Sequence, residues 1–234
     1  QSFTFVATVE AILLLGAKPV ISNVDDSLNM SPKELEKLIS KKTKLIIPVP
    51  MLGNPCDMKK ITEISKKYKI PILEDACESL GAKYKKKFVG THGKVGVYSL
   101  DFAKTITTGE GGLIVTNDKN IYKHCMEFHD HGHENNKTRP RGKDTRTIWG
   151  LNLRMTELQA AVGLAQLRKL NFIRKKNKIN KNFIKNKIKF NKQIEFRRIN
   201  GDGDLSDTLI FFLKNKKIIS KMENYLIKNK IGIK

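Results

Sequence analysis

The sequence predicts an α/β fold: a mostly parallel sheet flanked by helices, followed by the start of a smaller α/β domain. Three observations carry this. Short apolar runs alternate with helical patterns through the first 75 residues, the order that builds right-handed β-α-β crossovers. The links between them are short, which places successive elements side by side. One run, Leu73-Glu-Asp-Ala76, ends in a carboxylate at the carboxyl edge where such sheets bind ligands.

Taken in order, residues 9–16 read as a helix closed by Gly16, and residues 18–24 as a short strand. Ser31-Pro-Lys-Glu34 is a capping box with proline at the first helical position, opening a helix to about residue 39. Residues 44–50 read as a buried strand that stops at proline. Met58, Ile61, Ile64 and Tyr68 recur at helical spacing within residues 57–69, and residues 70–75 form the next strand. Residues 95–100 and 113–116 are two further apolar strands. A helix is predicted over 118–129, a polar loop from 128 to 146, and a helix over 156–169 with Leu158, Ala161, Val162, Ala165 and Leu170 as its apolar stripe. Beyond Phe172 the pattern loosens, with a strand predicted over 209–213 and a helix over 220–230.

The chain has 234 residues, 39% hydrophobic, enough for one real core and part of a second domain. No apolar run approaches membrane-spanning length; residues 11–16 are far too few. No basic-then-apolar leader opens the sequence. Three widely spaced cysteines without a CxxC suit a reducing cytoplasm. The formal charge of +22 invites a nucleic-acid reading, but lysine, asparagine and isoleucine are over-used together, most densely over 174–192, where aromatic residues are few. Nonspecific stickiness at low salt is expected, specific nucleic-acid binding is not. His129, His131 and His133 alternate as metal ligands on a strand would, but Gly132 and the loop around them argue against rigid ligand geometry. No metal site is expected.

Between the strands at 95–100 and 113–116 sit Lys104 and the turn Thr108-Gly-Glu-Gly-Gly112. A lysine positioned and dried by packed β-structure is suited to nucleophilic work on a carbonyl, and the glycines permit close backbone approach. A lysine in a loop before a Gly-rich turn is commonplace by itself. Asp75, one βα unit earlier, gives it a partner.

Asp75, Ser99, Lys104 and residues 108–112, in this order, resemble the DegT/StrS family of pyridoxal 5'-phosphate (PLP)-dependent sugar aminotransferases. Five stretches in register carry the resemblance from Ser2 to about Phe172: Ser2-Phe-Thr-Phe-Val-Ala-Thr8, Glu74-Asp-Ala-Cys-Glu-Ser-Leu-Gly-Ala82, Tyr98-Ser-Leu-Asp-Phe-Ala-Lys104, Thr107-Thr-Gly-Glu-Gly-Gly112 and Asn152-Leu-Arg-Met-Thr-Glu-Leu-Gln-Ala160. It implies a type I PLP-transferase large domain over residues 1–172 and the beginning of a small domain over 173–234. It also implies active sites shared across a homodimer.

Carried over by the resemblance, Lys104 is the catalytic residue that holds PLP and shuttles a proton. Asp75 pairs with the pyridine nitrogen; two unit charges about 4 Å apart at an effective dielectric near 20 attract by roughly 4 kcal/mol before desolvation. Phe5 stacks on the ring, Ser99 donates to the phosphate, and Asn152 reaches it from the partner subunit. Glu78 stands near the cofactor's phenolic oxygen, where many relatives carry glutamine or histidine; it is expected to be protonated, turned away or the mark of a subgroup. The family's dehydratase branch has histidine in place of the lysine, so Lys104 favours transamination.

The family's N-terminal phosphate-binding loop and distal small domain have no counterpart here, so the resemblance implies a fragment of a longer enzyme. The implied reaction moves an amine from glutamate to a keto-sugar for bacterial surface glycans, either a keto-deoxy sugar acid or a nucleotide-linked keto-sugar. His131, Arg141 and Arg154 are the expected substrate contacts. A sugar- or PLP-sensing regulatory protein on the same fold is the alternative.

Overall fold

The computed structural model describes residues 1–201 and 203–233. Local chemistry accounts for where most helices start. After α1 (Ala7–Leu14), Ser31 caps α2 (Pro32–Leu38) by accepting from the Glu34 amide at 3.4 Å. Asp57 caps α3 (Met58–Tyr68), which ends where Lys69 turns left-handed at φ 56°. A side-chain cap satisfies amides that the helix itself cannot. Met58, Ile61 and Ile64 of α3 bury one stripe against Leu35, Ile46, Ile70, Ile72 and Tyr84, and this cluster is the first core.

The strands that position the site are β1 (Leu73–Asp75), β4 (Val95–Ser99) and β5 (Gly112–Thr116), with a two-stranded hairpin, β2 (Lys83–Tyr84) and β3 (Lys87–Phe88), between β1 and β4. The sheet order is β1-β4-β5. β1 lies parallel to β4 with Asp75 opposite Val97, whereas β5 is antiparallel to β4 with Ser99 opposite Gly112. The second core, Ala76, Ala82, Val89, Tyr98 and Leu205, lies beside this sheet.

Two predicted strands are reduced to single bridges. Within 44–50, Ile46 pairs with Ile72 in parallel fashion, and Pro48 offers only its carbonyl to the Asp75 amide. Prolines have no N–H for a ladder, so the segment runs alongside β1 without becoming a regular strand. Within 18–24 there is only the Val24–Met30 bridge.

After β5, Asp118 caps α4 (Lys119–Phe128), accepting from the Asn120 and Ile121 amides. A capping box of Thr156 and Gln159 opens α5 (Glu157–Ile188), which continues far past the predicted end at 169 and through position 172 without a break. An antiparallel pair, β6 (Ile194–Phe196) and β7 (Phe211–Leu213), and α6 (Lys216–Lys228) complete the described chain. The chain after β6 folds back on the first half. Arg197 is 5% exposed, and its guanidinium donates to the carbonyls of Ser27 (2.6 Å) and Met51 (2.8 Å). Burial lowers its pKa to about 10, so it stays charged at neutral pH.

Candidate active site

Because β1 and β4 are parallel, their carboxyl ends lie at the same edge of the sheet. Asp75 closes β1 and Ser99 closes β4. Past Ser99 the chain folds back on itself through local bonds. The Ser99 hydroxyl oxygen accepts from the Asp101 amide (3.2 Å), the Asp101 carboxylate from the Ala103 amide (2.8 Å), and the Asp101 carbonyl from the Lys104 amide (3.1 Å). The Leu100 carbonyl accepts from the Thr108 amide (2.9 Å) and the Thr107 hydroxyl (3.1 Å), closing the loop at its far end. Gly111, at φ 151°, passes so close to the Thr108 hydroxyl that a Cβ would meet it at 2.7 Å. That is where the Gly-rich turn needs glycine.

Lys104, its side chain 22% exposed, faces Glu78, with Nζ 3.6 Å from Oε1. The other Glu78 oxygen accepts from the Leu52 amide at 3.1 Å. Asp75 is held from two sides: Oδ2 accepts from the Thr8 hydroxyl at 2.6 Å, and Oδ1 from the Cys77 amide at 3.3 Å. Cys77 lies between Asp75 and Glu78 in sequence. Burial first, then the adjacent Asp75 carboxylate, push its thiol well above the usual range, while the Lys104 ammonium opposes them. Glu78 follows Asp75 by three residues and meets Lys104 at 3.6 Å, so the segment leaving β1 carries the acid and touches the amine. Phe5 lies 65% exposed one residue before the turn that opens α1, so its ring is open to a ligand.

The remaining candidates lie elsewhere. Asp130 pairs across an isolated antiparallel bridge with Asn152, whose side chain is exposed. Asp130 is buried and takes both Arg141 and Arg154 on one oxygen, Arg154 at 2.7 Å. Burial pushes the Asp130 pKa up, but the two guanidiniums outweigh it and hold the carboxyl below the usual range. Both arginines expected to meet substrate thus serve a buried acid within the loop. His131, at φ 55°, lines an open cleft of about 690 Å³ with His124, Phe128, Arg146 and Trp149. His133 bonds Asp144 through Nδ1 at 2.7 Å. Two contributors escaped the sequence reading, Thr8 and the Leu52 amide. The spacing of Thr4 and Thr8, one helical turn apart beside Phe5, was the available signal for the first.

The fold is that of the type I aminotransferases. Helicobacter pylori PseC, an aminotransferase involved in the biosynthesis of pseudoaminic acid, superposes with a TM-score of 0.88 at 28% identity, over 97% of this chain and 61% of that one. Escherichia coli GDP-4-keto-6-deoxy-D-mannose-3-dehydratase with bound hydrated PLP does so with 0.89 at 26%, over 98% and 63%. The model of the DegT/DnrJ/EryC1/StrS aminotransferase family matches residues 1–233, and the chain belongs to that family. In sequence it is 41% identical over 180 residues to GDP-perosamine synthase of Escherichia coli O157:H7, covering 76% of this chain and 48% of that protein. The chain thus spans about half the length of the curated relative it matches.

Proposed function

We propose that this chain is the cofactor-binding part of a PLP-dependent aminotransferase that moves an amine from glutamate to a nucleotide-linked keto-sugar for bacterial surface glycans. The observation that carries the reading is that the segment leaving β1 holds Asp75 and, three residues on, Glu78, whose carboxylate meets the Lys104 amine at 3.6 Å. The residues fit the group: an amine, a carboxylate held by two donors, an exposed aromatic ring and a hydroxyl whose proton is available to donate. PLP, when bound, supplies an electron sink for removing the proton beside an amine.

This chain's own groups do the rest. With PLP bound, Lys104 would be the residue that holds it through its amine, and that amine would carry the substrate proton. Asp75 would hold the charge of the ring nitrogen, Phe5 would cover one ring face, and Ser99 would donate to the phosphate. Glu78 receives the Lys104 ammonium whenever that amine is not engaged. Asn152 acts in the partner's site of a homodimer, a reading supported by its exposure on the loop before α5.

Of the two acceptor classes, the nucleotide-linked one is favoured. A relative at 41% identity is named for a GDP-linked sugar. Lys104 favours transamination over the dehydratase chemistry named for one of the similar structures. Among the described residues no helix is long and apolar enough to cross a membrane, and Cys56, Cys77 and Cys125 are all unbridged.

The test uses the full-length gene product. Borohydride is expected to fix PLP covalently to the tryptic peptide containing residue 104, and Lys104→Ala to abolish that trapping. With glutamate and a GDP-linked 4-keto hexose, mass spectrometry should detect the amino sugar. Trapping that survived in Lys104→Ala would refute the assignment.

A further inference from the structure

We propose that Thr8 is a positioning residue for Asp75: its hydroxyl sets the direction in which that carboxylate is presented. The inference rests on the reading of Asp75 as the partner of the cofactor's ring nitrogen. Thr8 Oγ1 lies 2.6 Å from Asp75 Oδ2 although 67 residues separate the two in sequence. An ionised carboxylate only accepts, and a hydroxyl has one proton. The Thr8 proton is therefore the one in this bond, and in the 3.1 Å contact between Thr8 Oγ1 and Thr4 Oγ1 Thr8 accepts a proton that Thr4 shares with the Phe5 carbonyl at 3.4 Å. Thr4 thus adds a second contact to the hydroxyl that holds Asp75.

The need for such a partner follows from where Asp75 sits. It is the last residue of a three-residue strand, and without Thr8 its carboxylate would keep only the neighbouring Cys77, through the amide at 3.3 Å and the thiol. With Thr8, both oxygens are held from the protein side, and each retains a lone pair for a ligand. The tether also works in the other direction. α1 contains no buried residue, so apolar packing does little to hold it, and the Thr8–Asp75 bond is one polar link that ties it to β1. The Thr8 amide donates to the Phe5 carbonyl at 3.3 Å. A single turn of chain therefore carries both the ring proposed to cover the cofactor and the hydroxyl that aims its carboxylate.

The experiment compares Thr8→Val, Thr8→Ser, Asp75→Asn and the Thr8→Val/Asp75→Asn pair in the full-length gene product. PLP is titrated into apoprotein, its visible band is recorded across pH, and urea midpoints are measured in parallel. Thr8→Val is expected to weaken PLP binding about tenfold, equivalent to about 1.4 kcal/mol, and to move the pH response of the visible band. Thr8→Ser, which keeps the hydroxyl, should stay within about twofold of native, and the paired losses should be less than additive, as for groups in contact. A merely structural role would lower the urea midpoint without moving the band. Native binding and a native band in Thr8→Val, equal losses in Thr8→Val and Thr8→Ser, or fully additive losses would each overturn the role of Thr8. If Asp75→Asn binds PLP as tightly as native, the reading of Asp75 itself fails. If Asp75→Asn weakens binding while Thr8→Val does not, only the Thr8 proposal falls. Should Thr8→Val not fold, Thr8→Ala asks the same question with a smaller side chain.

Discussion

Glu74 and Asp75 are adjacent carboxylates on opposite faces of β1, and strand alternation gives them different tasks. Glu74 is almost fully buried and accepts from the amides of Gly90 (2.8 Å), His92 and Gly93 (2.6 Å), fastening the 89–93 loop under the sheet. Glutamine has one acceptor oxygen and brings an NH₂ to face those donors, so Glu74→Gln should cost about 2–3 kcal/mol of stability. Urea denaturation checks this; a loss below about 0.5 kcal/mol, typical of a surface site, would refute it. The residues whose chemistry is written in local order, Lys104 before a Gly-rich turn and Asp75 at a strand's end, could be picked out from sequence. Their supports could not. The Thr8 partner is 67 residues from Asp75, and no periodicity links them. For Arg141 and Arg154 a sequence displays charge but not the buried acid, Asp130, that binds one nitrogen of each.

At the scale of elements, starts were more legible than ends. Ser31, Asp57, Asp118 and Thr156 each cap a helix that was expected close by, since a cap is a one-residue chemical signal. α5 outran its prediction because the apolar stripe fades after residue 170, yet residues 171–188 contain neither glycine nor proline to stop a helix. The antiparallel direction of β5 was invisible for a different reason: buried strands look alike in either direction.

The loop between α4 and α5 offers an element-scale test, because Asp130 gathers its two arginines. A carboxyl held below the usual range contributes stability that is present above the unfolded value of about 3.9 and is lost as pH falls through the lower folded value. Trp149, the sole tryptophan, packs edge-on to Phe128 at 5.3 Å within the same region and reports its order. Its fluorescence anisotropy should hold steady from pH 7 to 5 and fall below about pH 4. In Asp130→Asn it should already be low at neutral pH, each pair, with its arginine half exposed, having been worth about 1 kcal/mol. Unchanged anisotropy in that variant would show that other contacts order the loop.

For the whole molecule, the α/β alternation was readable, but the return of residues after β6 onto the first half was not. Arg197 is one of many basic residues in sequence, and only the folded chain brings it to the carbonyls of Ser27 and Met51. Surface chemistry yields the last prediction. α1 buries none of its residues, Leu14 and Leu15 are 89% and 85% exposed, and Leu158 at the start of α5 is 81% exposed. Exposed apolar side chains in succession, Leu13, Leu14 and Leu15, mark an association face, while the +22 carried by these 234 residues of each copy opposes association at long range. Salt screens that repulsion and leaves apolar burial intact. Sedimentation velocity of the full-length gene product should therefore give a dimer that tightens as salt rises from 50 to 500 mM. Leu14→Glu with Leu15→Glu should weaken it at least tenfold, since apolar burial is lost and a charge would have to be desolvated. Weakening with salt, or a native dimer in the double variant, would move the contact away from α1 and onto polar surface.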